Sequence, residues 1–156
     1  MRRRVSAEVV VRPEVGATVE RPRPGRGGSL PRHIVLAGAR YRKVAFEPLH
    51  EPALAPFVRG HDLMGDGSLV LLPTPGHTPG SMSLFVRRES RAPLLMVGDL
   101  TYEVELLEAG RIPGVGAKHE MRQAPKMVLE MTTRYPRLAV LPAHAPGSAD
   151  RLRRAR

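Results

Sequence analysis

Three side chains of metal-binding type follow three apolar runs in the same manner. Leu69 to Leu72 leads through Pro-Thr-Pro-Gly to His77, Leu94 to Val97 leads through Gly98 to Asp99, and Leu138 to Leu141 leads through Pro-Ala to His144. Two imidazoles and a carboxylate make a nitrogen and oxygen donor set that zinc, iron or manganese accepts. Taken singly, each residue has an ordinary explanation. A His beside Gly and Pro is a common loop residue, and an Asp after Gly is a common turn former or helix cap. The recurrence carries the weight. Of six His, only these two follow strand-like runs and sit among Pro and Gly, whereas His33, His50, His61 and His119 lie in charged or Pro-containing segments. Spacing alone leaves the metal-site and loop readings both open.

Such residues act together only if the elements before them deliver them to one place. His61 to Met64, the turn Gly65-Asp66-Gly67 and the run SLVLL have the form of a hairpin, with Gly where unusual backbone angles are needed. Pro73 ends its second strand. In SMSLFV, Met82, Leu84 and Val86 alternate with Ser81, Ser83 and Phe85, and LLMVG follows after a charged turn. Val104, Leu106 and Leu107 suggest a short helical turn or a covered loop. Pro125 to Arg134 predicts a helix with Pro in its first turn and Val128, Leu129 and Met131 on its apolar side, stopped by Tyr135-Pro136. Leu138 to Leu141 predicts a last strand, Ser148 to Arg154 a terminal helix and Glu8 to Val11 a short early strand. Strands and helices in this order indicate a layered α/β architecture, in which loops leaving one sheet edge converge on one crevice.

The stretches LLPTPGHTPGSMSLFV, LLMVGDLTY and LAVLPAHAPG are similar to the second half of the metallo-β-lactamase-fold hydrolases. DLTY, together with ELLEAGRIPGVG, resembles the branch that contains acyl-homoserine lactonases, and the similarity runs from about Ser29 to Asp150. The resemblance implies the rear portion of an αββα sandwich. It also implies two divalent metals, zinc first among them, with His77 on the first, Asp99 bridging and His144 on the second. Tyr102, three residues after the bridging Asp, would orient or polarise a substrate carbonyl or assist the leaving group. Two cations close together lower the pKa of a water between them, so a hydroxide can attack an ester or lactone carbonyl at neutral pH. Asp99 and Tyr102 are thus the expected catalytic residues, and a small ester or lactone the expected substrate. No protein nucleophile is needed, in agreement with Gly80-Ser81-Met82-Ser83, which lacks the second Gly of a nucleophile elbow.

The family's H-x-H-x-D-H signature does not occur in the chain, and AEVVVRPEV resembles the strand just downstream of it. Each expected metal then keeps two protein ligands where a catalytic zinc has three and an open position. The reading that follows is an incomplete domain, marginally folded, with weak metal binding and impaired hydrolysis, its apolar sheet surface and one sheet edge exposed.

Charge divides the chain as well. Its 156 residues carry 25 Lys+Arg and 15 Asp+Glu, a formal net charge of +10. Met1 to Lys43 holds 11 basic and 3 acidic residues and Arg151 to Arg156 four Arg, so the body between is slightly acidic. The expected organisation is a basic Pro/Gly-rich arm or remnant strand and loop over 1–28, an incomplete metallo-β-lactamase-like domain over 29–150 and a basic tail over 151–156. The basic ends support an alternative, a non-catalytic protein binding nucleic acid or another partner. Scarce aromatics and the lack of helix-turn-helix or zinc-finger spacing weigh against it. The near-neutral body weighs mildly against a phosphoester-hydrolysing variant of the fold. The chain has no cysteine, no apolar run of about 20 residues that would span a bilayer, and no secretory h-region, so a cytoplasmic protein is the expectation.

Overall fold

A computed structural model describes residues 8–13, 40–111 and 116–155. The chain forms two compact units, Met1–Ala45 and Phe46–Arg156. In the first, β1 (Glu8–Val11) pairs in parallel with β2 (Arg40–Lys43). The pair is closed by the Val44 amide donating to Val11 O at 2.9 Å and by an ion pair of Arg42 with Glu8 at 3.1 Å. β1 was legible from its run of valines. β2 was not, because Arg-Tyr-Arg-Lys has no apolar alternation and all four residues are exposed. The expected boundary between residues 28 and 29 lies outside the described residues.

The second unit contains one six-stranded sheet. Its strands are β3 (Glu47–Pro48), β4 (Arg59–Asp62), β5 (Leu69–Pro73), β6 (Met82–Val86), β7 (Leu94–Gly98) and β8 (Ala139–Pro142), in that spatial order. Neighbours are antiparallel from β3 to β7, and β8 is parallel to β7. Strands β5 and β7, each antiparallel to β6, therefore run the same way, and β8 runs with them. Their C-terminal ends lie on one edge of the sheet.

The hairpin between β4 and β5 turns on Asp62. Its carboxylate accepts the amides of Met64, Gly65 and Gly67 at 3.2, 2.9 and 2.7 Å, while Gly65 and Gly67 take positive φ values of 78° and 73°. The first strand of this hairpin sits earlier than the sequence pattern suggested, at Arg59–Asp62, because the Asp62 side chain folds the following residues into the turn.

Three helices follow the strands: α1 (Val104–Glu108), α2 (Glu120–Arg134) and α3 (Ser148–Arg154). The second begins five residues before the expected start, and Pro125 lies inside it. The preceding turn is made by the Met121 amide bonding Ala117 O at 2.9 Å and the Gln123 amide bonding His119 O at 3.2 Å. Burial of Met121 and Ala124 holds that turn and compensates for the backbone donor that Pro lacks. Met121, Ala124, Val128 and Met131 recur at steps of three and four and form the buried stripe of α2. Of the stripe, Ala124, Val128 and Met131 join a core with Val70, Leu72, Phe85, Leu95, Val97 and Val140 from the sheet. Among the described residues no helix is long and apolar enough to cross a membrane.

Candidate metal centre

The shared edge of β5, β7 and β8 delivers His77, Asp99 and His144 to one place. His77 Nε2 lies 3.8 Å from Asp99 Oδ2, and His144 Nε2 lies 3.1 Å from Asp99 Oδ1. The two imidazoles thus address different oxygens of one carboxylate. All three side chains are reachable from solvent, His144 most of all at 66% exposure. Tyr102 stands beside them, its ring 6.3 Å centre to centre from that of His144 and tilted by 52°.

Each donor is positioned by local bonding. His77 sits in a loop braced by Thr78 and Ser81: the Thr78 amide donates to Ser81 Oγ at 3.1 Å, the two hydroxyls pair at 2.9 Å, and the Ser81 amide donates to Thr78 O at 3.1 Å. Below the loop a fully buried pair of hydroxyls, Thr74 just after β5 and Ser83 of β6, meets at 2.9 Å. Gly76 adopts φ 147°, and a Cβ there would meet the Met121 side chain at 2.8 Å, so the loop lies directly on the first turn of α2. Asp99 follows Gly98, whose φ of 56° turns the chain out of β7 while its carbonyl accepts the Ala143 amide at 3.0 Å. That bond ties the Asp99 loop to the His144 loop. Ser148 Oγ donates to Pro142 O at 2.8 Å and fixes the other end of the His144 loop. The bracing by Thr78 and Ser81 escaped the sequence reading. Its signal was the turn-forming run Thr-Pro-Gly-Ser, in which hydroxyls bond to nearby backbone.

A divalent cation suits this donor set in chemistry and spacing. Ligand atoms about 2.1 Å from a tetrahedral zinc are about 3.4 Å from one another, and the two nitrogen-to-oxygen separations fall on either side of that value. Asp99 Oδ1 is buried and has no hydrogen-bond partner, although His144 Nε2 faces it. A neutral imidazole nitrogen and a carboxylate oxygen are both electron-pair donors, so a proton or a cation between them relieves their repulsion. The count of donors is lower than a catalytic zinc takes. Each half has one nitrogen and one oxygen, and among the described residues no group of three or more His, Asp or Glu is arranged to hold a single ion.

A mixed sheet whose parallel and antiparallel strands bring His77, Asp99 and His144 to one edge, backed by a helical layer, has the fold of solved N-acyl homoserine lactone hydrolases. An N-acyl homoserine lactone hydrolase solved with N-hexanoyl-L-homoserine bound at its catalytic metal center superposes with a TM-score of 0.66 and 19% identity, over 93% of this chain and 50% of that one. A quorum-quenching N-acyl homoserine lactone hydrolase matches with a TM-score of 0.64 over 91% of this chain and 50% of its own length. In sequence, the chain is similar to the N-acyl homoserine lactonase AttM of Rhizobium radiobacter, 43% identical over 54 residues, which cover 35% of this chain and 20% of the relative. An N-acyl homoserine lactonase of a Bacillus species is 30% identical over 102 residues, 62% of this chain and 40% of the relative. The chain thus spans at most two fifths of these curated relatives and about half of the solved lactonases. No family profile matches it.

Proposed function

We propose that this chain carries one ligand set of a metal-dependent hydrolase that opens lactones or esters, with N-acyl homoserine lactones as the substrate class. The observation that carries the reading is the division of the Asp99 carboxylate, one oxygen toward His77 and the other toward His144. His77 and Asp99 would hold one divalent cation and Asp99 and His144 a second, zinc being the metal that this donor set favours. When bound, the metal pair supplies a water of lowered pKa and polarisation of the substrate carbonyl.

The chain's own residues hold the rest of the arrangement. The bonds of Gly98 to Ala143 and of Ser81 to Thr78 keep the three donors within reach of one another before any metal arrives. Tyr102, at 41% exposure and with its ring 6.3 Å from that of His144, would donate its hydroxyl to the carbonyl or to the departing alkoxide of a molecule bound at the centre. With two protein donors in each half, affinity for zinc is expected to be weaker than that of a three-ligand catalytic site. Calorimetric titration of the chain with zinc tests the reading. Binding to the wild type that is lost in both His77→Ala and Asp99→Asn supports it, and metal content unchanged in both variants overturns it.

A further inference from the structure

Tyr102 and His144 belong to separate arms of the chain, and each arm is braced from within. On the Tyr102 arm the Thr101 hydroxyl donates to Glu103 O at 2.7 Å, and the buried Val104 and Leu107 hold α1 in place. On the His144 arm the Ser148 amide donates to Ala145 O at 3.1 Å and the Arg151 amide to Gly147 O at 3.0 Å, so α3 grows directly out of the loop that carries the imidazole. Between the arms lies an open cleft of about 240 Å³, with Glu103 and Glu105 on the α1 side and Ala145, Pro146, Gly147 and Arg151 on the other. The Gly98–Ala143 bond fixes the chain just before His144. After His144, and across the cleft, the Arg151 guanidinium meets the Glu105 carboxylate in an ion pair.

We infer that this pair is a strap that sets the separation of Tyr102 from His144, which makes Glu105 and Arg151 positioning residues for the Asp99–His144 half of the centre. Glu105 lies in the first turn of α1, just after Tyr102, and Arg151 lies one turn into α3, so each charge is carried on a helix rather than on a loose loop. The two residues are 46 positions apart in the chain, and local bonding cannot hold their arms together. His144 is 66% exposed, so packing holds little of its side chain and the attachments of its loop decide where it stands. The asymmetry of the pair suits a tether: the Arg151 side chain is 29% exposed and anchored beside the cleft, while Glu105, 67% exposed, reaches to it. An exposed pair of this kind adds little to folding stability, so its removal should shift the arms without unfolding the chain. The functional meaning of the strap rests on the hydrolytic reading above; its effect on the two arms does not.

The test reads the arms directly, in the full chain and without metal. The Tyr102 and His144 rings, 6.3 Å apart between centres, are close enough for a ring-to-ring nuclear Overhauser effect. Glu105→Gln and Arg151→Gln should each weaken that cross-peak at an unchanged unfolding midpoint, and the exchanged pair, Glu105→Arg with Arg151→Glu, should restore it. Glu130→Gln, which removes an exposed ion pair with Arg134 on α2, should leave it as in the wild type. Zinc affinity should fall by about twofold to fivefold in the two single variants and recover in the exchanged pair. A cross-peak that survives both single substitutions, or that the exchanged pair fails to restore, overturns the inference. So does a cross-peak lost only together with a lowered unfolding midpoint, which would make the pair a support of the fold. The two readings fail separately: a cross-peak that follows the charges in a chain that binds no zinc leaves the strap and overturns the functional proposal, whereas zinc binding beside a cross-peak indifferent to the pair overturns the strap alone.

Discussion

The two faces of the central sheet are built from the same kinds of residue and differ in what covers them. On one face Val70, Phe85, Leu95 and Val140 stand in register and are at most 5% exposed, because α2 lays Ala124, Val128 and Met131 over them. On the other, one residue along each strand, Leu71, Leu84, Met96 and Leu141 make an equally apolar row in which Leu71 and Leu141 are buried at 8% and 9% while Met96 is 48% exposed. Burial therefore follows from the neighbouring layer and not from side-chain type. A half-exposed apolar side chain such as Met96 contributes less to the chain's own stability than a buried one.

Substitutions on the two faces should separate them sharply. Phe85→Ala is expected to cost about 3–5 kcal/mol in denaturant unfolding, since a fully buried ring is removed from between the sheet and Tyr135, 6.0 Å away between ring centres. A loss comparable to that of an exposed residue would mean that α2 does not seal its face. At the edge that both faces share, Gly76→Ala should cost about 1–3 kcal/mol, because a residue with φ 147° gains a Cβ against the backbone and side chain of Met121. The same variant should weaken zinc binding by moving the His77 loop, and retained affinity would show that the loop is not set by α2.

A smaller effect is expected from pH. Burial, and next the nearby Glu51 carboxylate, raise the Tyr135 hydroxyl above its ordinary value of 10.0. The folded state then holds the Tyr135 proton more tightly than the unfolded state. Stability from this group is complete below pH 10 and declines as pH rises through the folded value. Stability curves between pH 8 and about 11 should therefore fall less in Tyr135→Phe than in the wild type, and parallel curves would remove Tyr135 from the covered face. The smallest effect belongs to the open face. Met96→Ala should change the stability of the chain alone by no more than about 0.5 kcal/mol, and a loss near that of Phe85→Ala would show that the open face is covered in solution.

The strands were legible wherever apolar residues alternated or ran together, as in Leu69–Pro73, Met82–Val86 and Leu94–Gly98. Exposed Arg40–Lys43 gave no such pattern, and a proline drew the expected start of α2 five residues too far along the chain. Proline reads locally as a first-turn residue, but here Met121 and Ala124 bury their side chains and extend the helix before it. The candidate site was legible as three donors after three apolar runs. The hydroxyl bracing of Thr78 by Ser81 and the contact of Gly76 with α2 were not, because both depend on how the loop folds back.

The sequence by itself determined which side chains share a face of each strand and that His77, Asp99 and His144 follow the ends of strands, since a period of two residues and the succession of residues along a chain are local properties. Only the tertiary structure decided that β5, β7 and β8 point the same way, that α2 covers one face while Met96 on the other stays half-exposed, and that each oxygen of Asp99 faces a different imidazole. Those outcomes depend on strand pairing and layer packing between residues far apart in the chain, where the free energy of burial is set by the partner surface as much as by the residue itself.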